Sequence, residues 1–247
     1  MILIVGSNHD DVLYYENLLK NVKEETILNR YHVLIGKIAS QDVMVLQDVY
    51  TSFVSSMIAT YLIDNYLVSL IINVGRCEAI SPDLNIGDIA LSESVVFGDV
   101  DQIAAVKGTT LGQIPNYPRA LPISSNILQN MYSSFEKVVD YKFYNATFIS
   151  SSFFRQNKES VGEILKDEYI LSLNKSIVLD GETAGLALAS YLTNVPFISV
   201  KVVEAKAGLY TSLEDYLSVL NEYASIGKAI STFIGEISRT DVVHIKE

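Results

Sequence analysis

The segment 178–184 constrains the fold of this chain more than any other. Here the apolar run 177–179 meets two acidic residues, Asp180 and Glu182, and then a helix-like sequence that starts at Thr183. A buried strand that leads directly into a helix places such carboxylates at the carboxyl end of the strand. Open α/β sheets bind small ligands at that edge. The segment therefore predicts an acidic ligand site at the edge of a sheet.

Apolar segments of strand length alternate with segments of helical spacing along the chain, which is typical of the α/β class. Strands are predicted at residues 1–5, 31–38, 42–47, 67–74, 88–92, 95–97, 146–150, 177–179 and 197–203. Helices are predicted at residues 10–20, 51–65, 127–138, 161–166, 183–192 and 213–238. Gly75 is expected to end the strand 67–74, and residues 104–124 are expected to form a long loop. Because no linker, charge block or repeat divides the chain, we expect one domain over residues 1–247.

Composition and charge exclude several classes of partner. The chain of 247 residues has a formal net charge of −11 and a pI near 4.7. Nucleic acids and anionic membrane surfaces select for positive patches, so neither is expected as a partner. A single cysteine, Cys77, allows no disulfide within the chain, which favours a cytoplasmic location. The apolar run 67–74 is far shorter than the roughly 20 residues that a membrane helix needs.

Four short motifs resemble those of the methylthioadenosine/S-adenosylhomocysteine nucleosidases, a family in the purine nucleoside phosphorylase superfamily. They are residues 71–75 (IINVG), 86–89 (IGDI), 112–115 (GQIP) and 194–197 (NVPF). Each motif is weak by itself, but their order and spacing extend the resemblance over nearly the whole chain. The resemblance implies a single three-layer α/β/α domain with a mixed central sheet.

The same resemblance implies a hydrolase that cleaves the bond between a purine and ribose with water. One carboxylate activates the water, a second holds the ribose hydroxyls, and an acid protonates the departing purine. By position, Glu182 is the ribose-binding glutamate, and Asp11 lies where the family has its water-activating glutamate. Phe154 lies where the family stacks an aromatic ring on the purine, and Tyr216 lies near an aromatic that lines the 5′ end. No cofactor is implied.

The chain departs from this pattern at the acid that protonates the purine. The family's aspartate aligns with Ala205, and Glu204 stands one residue earlier. Because neighbouring strand residues point to opposite faces, Glu204 can act as the acid only where the strand is bulged or shortened. Asp11 is also one methylene shorter than the glutamate that it replaces.

Residues around the expected pocket differ as well. The sequences 75–79 (GRCEA) and 48–52 (DVYTS) replace two glycine-rich loops of the family. Glycine lets the backbone approach a ligand closely, so these changes predict a narrower pocket. Gly181 replaces a methionine and opens space beside the sugar, whereas Lys107 replaces an aromatic residue of the 5′ pocket.

Several side chains have alternative roles. Glu182 can cap the helix that follows it, because carboxylates favour helix N-termini. Arg76 can bind phosphate, as a phosphorylase needs, or form an ion pair with Glu78 or Asp48. Cys77 fits a small buried hydrophobic residue.

Alternatives also exist for the function and the assembly. A diverged homologue would bind a nucleoside or a protein partner without turnover, since a missing general acid costs about 10²–10⁴ in rate. The resemblance implies a homodimer in which the loop around Pro115 reaches the neighbouring subunit's site, with a dimer surface around Phe53, Met57 and Tyr61. No metal is expected, because the three histidines show no ligand spacing.

Overall fold

The computed structural model describes residues 1–138, 142–152, 158–164, 166–173, 176–209 and 212–237. Its strands are β1 (Ile2–Val5), β2 (Lys20–Ile27), β3 (Tyr31–Ile38), β4 (Gln41–Leu46), β5 (Leu70–Ala79), β6 (Ile89–Phe97), β7 (Ala120–Pro122), β8 (Phe143–Ser150), β9 (Ile177–Asp180) and β10 (Phe197–Lys206). Its helices are α1 (His9–Leu18), α2 (Ser52–Tyr66), α3 (Ser125–Val138), α4 (Lys158–Ile164), α5 (Glu168–Leu173), α6 (Thr183–Thr193) and α7 (Leu213–Glu236).

All the described strands belong to one mixed sheet, as predicted. The strand order is β10-β6-β8-β9-β5-β1-β4-β3-β2, with β7 paired to β6. β10 also pairs with β5, so half of the sheet closes on itself while β1, β4, β3 and β2 continue as an open extension. β1, β4, β5 and β10 run parallel, and their carboxyl ends therefore meet at one edge.

Apolar side chains cover both faces of this sheet and produce the predicted three layers. On one face, residues of α2 and α6 such as Leu62 and Leu186 pack against the sheet. On the other face, α1, α3 and α7 contribute Tyr15, Phe135 and Phe233. The burial of these large side chains supplies the main stabilisation of both interfaces. Across the described ranges, no helix combines the length and the apolar character that crossing a membrane requires.

The sequence prediction was wrong about where β5 ends. Gly75 lies inside the strand, which continues to Ala79. At Gly75 the backbone has φ +146°, and a Cβ atom there would lie 3.1 Å from Oδ2 of Asp11. The glycine therefore lets β5 pass close to a carboxylate of α1 instead of ending the strand.

Other differences have equally local causes. The segments 88–92 and 95–97 form one strand, β6, whose register with β8 shifts between Ser92 and Ser94. β2 was not predicted because most of its side chains are exposed and polar, which hides the alternation of a half-buried strand. The short β7 and α5 were also missed, and β7 lies within the region predicted as a long loop.

Candidate active site

A cavity of about 360 Å³ opens where the carboxyl ends of β1, β4, β5, β8, β9 and β10 converge. Its size is within the range of small-molecule sites. Of the predicted site residues, it is lined by Asp11, Arg76, Gly181, Glu182 and Glu204. The strand ends thus bring together side chains that are nearly 200 positions apart in the sequence.

Asp11 is held in the first turn of α1 by three donors. Its Oδ2 accepts hydrogen bonds from the backbone N–H groups of Ser7 (3.1 Å) and Asn8 (2.8 Å). Its Oδ1 accepts one from the Tyr223 hydroxyl at 2.6 Å. Burial, followed by the charge of Asp11, raises the pKa of Tyr223, so the phenol keeps its proton and remains a donor. Asp11 therefore both completes the helix cap and presents an oriented carboxylate to the cavity.

Arg76 connects Asp11 to a second carboxylate. Its Nε lies 3.7 Å from Oδ1 of Asp11, and its Nη1 lies 3.3 Å from Oε2 of Glu204. These two carboxylates differ from Glu78 and Asp48, which were the expected ion-pair partners. Since the guanidinium already faces two carboxylates, the geometry does not favour the capture of a phosphate anion.

A β-bulge brings Glu204 to the cavity. In the parallel pairing of β10 with β5, Val203 is opposite Cys77 and Ala205 is opposite Glu78, so Glu204 is the extra residue. A bulge re-aims the side chain at its position. The strand is thus bulged at Glu204, and the Glu204 side chain lines the cavity. Burial raises the pKa of Glu204, while Arg76 acts in the opposite direction.

Glu182 does not cap α6 with its side chain. It is the N-cap residue, yet its carboxylate makes no capping hydrogen bond. The backbone N–H of Ala184 in the first turn instead donates to the Ser150 hydroxyl at 2.8 Å. Glu182 is only 5% exposed, and its Oε1 accepts a hydrogen bond from the ammonium group of Lys201. The capping interpretation of this side chain is therefore wrong.

The ammonium group of Lys201 holds two carboxylates at once. It contacts Glu182 and lies 3.0 Å from Oδ2 of Asp180, and the Lys201 side chain is 1% exposed. Burial lowers the pKa of Lys201, but the two carboxylates outweigh that effect and raise its pKa, so it remains charged. Burial also raises the pKa of Glu182, which Lys201 partly offsets.

Sequence reasoning placed Asp180 at the ligand edge of the sheet but missed Lys201 and its contact with Asp180. The signal was a single lysine within the otherwise apolar strand β10, because a buried charge requires a partner. It also missed Glu78, which lines the cavity as one of its acidic residues. Burial and the nearby Glu204 carboxylate raise the pKa of Glu78 to about 7.

The remaining predicted residues lie elsewhere or are not described. Phe154 and the side chain of Tyr216 are outside the described part of the chain. Pro115 is half-buried in its loop and does not line the cavity of its own chain. A Cβ atom added to Gly181 would meet only the Ser151 carbonyl oxygen, at 4.0 Å, so this glycine leaves open space beside Glu182.

The replaced loop before α2 keeps a backbone shape that suits glycine. Thr51 has φ 62° and ψ 152° at a position where the resembled family has glycine. A β-branched residue in this region is strained, by about 1–3 kcal/mol. Tyr50 and Thr51 line the cavity but do not close it.

Comparisons with known proteins agree on one family. A sequence model of the Phosphorylase superfamily matches residues 1–234. The 5'-methylthioadenosine/S-adenosylhomocysteine nucleosidase of Buchnera aphidicola subsp. Acyrthosiphon pisum (strain Tuc7) is 29% identical over 200 residues, 81% of this chain and 82% of the relative. The protein of the same name from Staphylococcus haemolyticus (strain JCSC1435) is 28% identical over 232 residues, 88% of this chain and 92% of the relative.

Solved structures show the same fold. The nucleosidase of that name from Neisseria meningitidis, in complex with methylthio-immucillin-A, has a TM-score of 0.85 at 17% identity and covers 96% of this chain and 99% of its own. The futalosine hydrolase of Helicobacter pylori strain 26695 has a TM-score of 0.82 at 17% identity and covers 96% of this chain and 97% of its own. At these identities the structural likeness concerns the fold.

Proposed function

Because this chain belongs to the phosphorylase superfamily, we propose that it hydrolyses the N-glycosidic bond of purine nucleosides of the methylthioadenosine and S-adenosylhomocysteine type. The observation that carries the proposal is the convergence of two buried carboxylates, Asp11 and Glu182, on one cavity. Asp11 is positioned by α1, and Glu182 is positioned by the end of β9. The proposed reaction needs two carboxylates in this way, one to activate the water and one to bind the ribose. The names of the sequence relatives support the choice of substrate class.

Asp11 accepts a proton from the attacking water in this proposal. The donors Ser7, Asn8 and Tyr223 occupy defined positions around its carboxylate, which fixes the direction in which it meets the water. A positioned base of this kind contributes about 10²–10⁴ to the rate. The Gly75 backbone leaves the space that this shorter carboxylate occupies.

Glu182 binds the ribose hydroxyls and stabilises the positive charge that develops on the sugar. Lys201 orients the carboxylate, and Gly181 leaves room beside it. Phe154 stacking on the purine and Tyr216 lining the 5′ end stay part of the proposal by position in the sequence alone.

A panel of nucleosides tests the reaction. We expect free base from methylthioadenosine, S-adenosylhomocysteine or another purine nucleoside without added phosphate, measured by chromatography. Glu182→Gln is expected to weaken binding at least about tenfold by calorimetry, because a charge-assisted hydrogen bond is worth a few kcal/mol. No base from any nucleoside would favour a homologue that binds without turnover, and release only with phosphate would favour a phosphorylase.

We also propose a homodimer in the cytoplasm. Apolar side chains of α2, Phe53 and Met57, are exposed beside the loop that lines the cavity. The Pro115 loop packs on the neighbouring helix α6 through the contact between Tyr117 and Tyr191. This arrangement supports an interface through which the Pro115 loop reaches a partner's site. The single cysteine, which is buried, is compatible with a cytoplasmic location.

A further inference from the structure

The proposed hydrolysis needs a proton donor for the departing purine. Ala205 stands where the family has an aspartate for this step, and alanine has no ionisable group that could donate a proton. We infer that Glu78, on the neighbouring strand β5, is the residue that donates this proton. The inference rests on the proposed function and assigns one further catalytic group within the same cavity.

Strand register places Glu78 next to the missing acid. Glu78 and Ala205 are directly paired in the parallel ladder between β5 and β10. Paired residues of adjacent strands project to the same face of a sheet, about 4.8 Å apart. The side chain of Glu78 therefore lies on the face to which an acid at position 205 would project, and it lines the cavity.

The five acidic groups that line the cavity differ in their partners, and Asp180 shares Lys201 with Glu182. Asp11 has three donors, Glu182 has Lys201, and Glu204 has Arg76. In contrast, Oε2 of Glu78 is buried and accepts no hydrogen bond from any described residue. Without a compensating donor or cation, burial favours the protonated carboxyl group. Glu78 thus keeps the proton that the reaction needs.

The neighbouring charges divide the roles between Glu78 and Glu204. Besides Glu78, the described charged and titratable groups around the cavity are Arg76 and Cys77 on β5, Glu204 and Lys201 on β10, Asp180 on β9, Glu182 before α6, Asp11 on α1, Tyr50 before α2 and Tyr223 on α7. Arg76 is paired with Glu204 and opposes the rise of its pKa, whereas burial and the Glu204 charge both raise the pKa of Glu78. Two carboxyl groups whose surroundings separate their protonation states are a common arrangement for acid and base catalysis. A pKa of about 7 for Glu78 suits a general acid at neutral pH.

The reaction step balances with these groups. The C1′–N9 bond breaks and its electron pair passes to the purine, while the Glu78 proton moves to a ring nitrogen of the base. The water oxygen forms a bond to C1′, and one water proton moves to Asp11. Afterwards Glu78 takes up a proton from solvent and Asp11 releases one, which restores the starting state.

A change of leaving group tests the inference. Glu78→Gln is expected to reduce the hydrolysis of methylthioadenosine by about 10²–10⁴, because it removes the general acid. The same variant should hydrolyse 4-nitrophenyl riboside within a few-fold of the unchanged protein, since nitrophenolate leaves without a proton. Glu24→Gln, at an exposed position of β2, is the matched control and should change neither rate.

The pH profile and a rescue variant complete the experiment. For the unchanged protein, the rate should fall as the pH rises through about 7, where Glu78 loses its proton. Glu204→Gln should move this decline to lower pH, because the Glu204 charge raises the pKa of Glu78. Ala205→Asp added to Glu78→Gln should restore activity on methylthioadenosine. If Glu78→Gln does not fold, Glu78→Asp takes its place. Because aspartate keeps a carboxyl group, the hydrolysis rate of this variant must still fall as the pH rises.

Each outcome decides the matter. Equal loss of activity of Glu78→Gln on both substrates, or no loss on methylthioadenosine, would overturn the role of Glu78 and leave the proposed hydrolysis intact. If the unchanged protein releases no base from any purine nucleoside, the proposed function fails, and the donor role fails with it.

Discussion

The buried ammonium group of Lys201 orients the carboxylate of Glu182. Lys201 is surrounded by apolar neighbours on β10, and its ammonium group contacts both Asp180 and Glu182. Buried charges are stable only when they are paired and hydrogen-bonded. Asp180 is secured further by the hydroxyls of Ser150 and Thr183. The network that stabilises this part of the fold therefore also orients the proposed ribose-binding carboxylate.

We expect Lys201→Met to destabilise the protein by about 3–5 kcal/mol, because it leaves two buried carboxylates without a cation. Urea unfolding measures the effect, and Lys201→Arg, which keeps the charge, should recover most of it. Removing Lys201 raises the pKa of Glu182 further, since Lys201 lowers it. When the pKa of Glu182 is raised in the folded state, protonation stabilises the folded protein at low pH. The loss of stability in Lys201→Met should therefore become smaller as the pH falls towards 5. A loss that does not change with pH would contradict this account.

The contact between α2 and α6 places the acidic end of β9. A Cβ atom at Gly185 of α6 would lie 2.0 Å from the Ser52 carbonyl oxygen and 2.2 Å from Ser55 Oγ. The two helices therefore meet backbone to backbone at this point. The Ser55 hydroxyl also donates to the carbonyl oxygen of Glu182 at 2.8 Å. Close helix packing and the position of Glu182 depend on the same glycine.

We expect Gly185→Ala to destabilise the protein and to weaken nucleoside binding, although alanine is the better helix former by about 1 kcal/mol. The clash is with the backbone of α2, which cannot turn away as a side chain does. Gly162→Ala in α4 is the control, because a Cβ atom there would meet nothing within 4 Å. Thermal unfolding should show a rise or no change for the control and a fall for Gly185→Ala. A stabilised Gly185→Ala variant would refute the close packing.

The fold leaves large apolar side chains of α2 exposed at the surface. Phe53 and Met57 on α2 are 76% and 54% exposed, which is unusual for large apolar side chains on one helix. Apolar patches of this kind mark interaction sites. The patch adjoins Thr51 at the cavity, so its partner would sit beside the entrance.

We expect light scattering to give about twice the chain mass of 27.3 kDa. Phe53→Asp combined with Met57→Asp should shift the protein to the monomer and reduce activity, because burying two charges in an apolar interface is costly. Val22→Asp places one such charge on the exposed strand β2 and should leave the mass unchanged. A monomer at micromolar concentration for the unchanged protein would remove the shared-site proposal.

Local patterns in the chain were sufficient to predict the α/β class and most of its elements. Apolar runs and helical spacing depend on neighbours within a few residues, so they can be recognised in the sequence. The same holds for Asp180 and Glu182 at the end of β9, where strand, acid and helix follow directly along the chain. The strand β2 was not predicted, because its polar and exposed residues show no such pattern.

Only the tertiary structure decided which carboxylates lie close together and how their surroundings shift their pKa values. The bulge at Glu204, the pairing of Glu78 with Ala205 and the contact between Lys201 and Glu182 are all relations between distant segments. Strand register and bulges depend on the whole sheet, since a shift by one residue turns each side chain to the opposite face. Burial then determines which acid keeps its proton. The sequence identified Asp11, Glu182 and Glu204 as candidate acids, whereas Glu78 and the partners of each carboxylate became visible only in the packed structure.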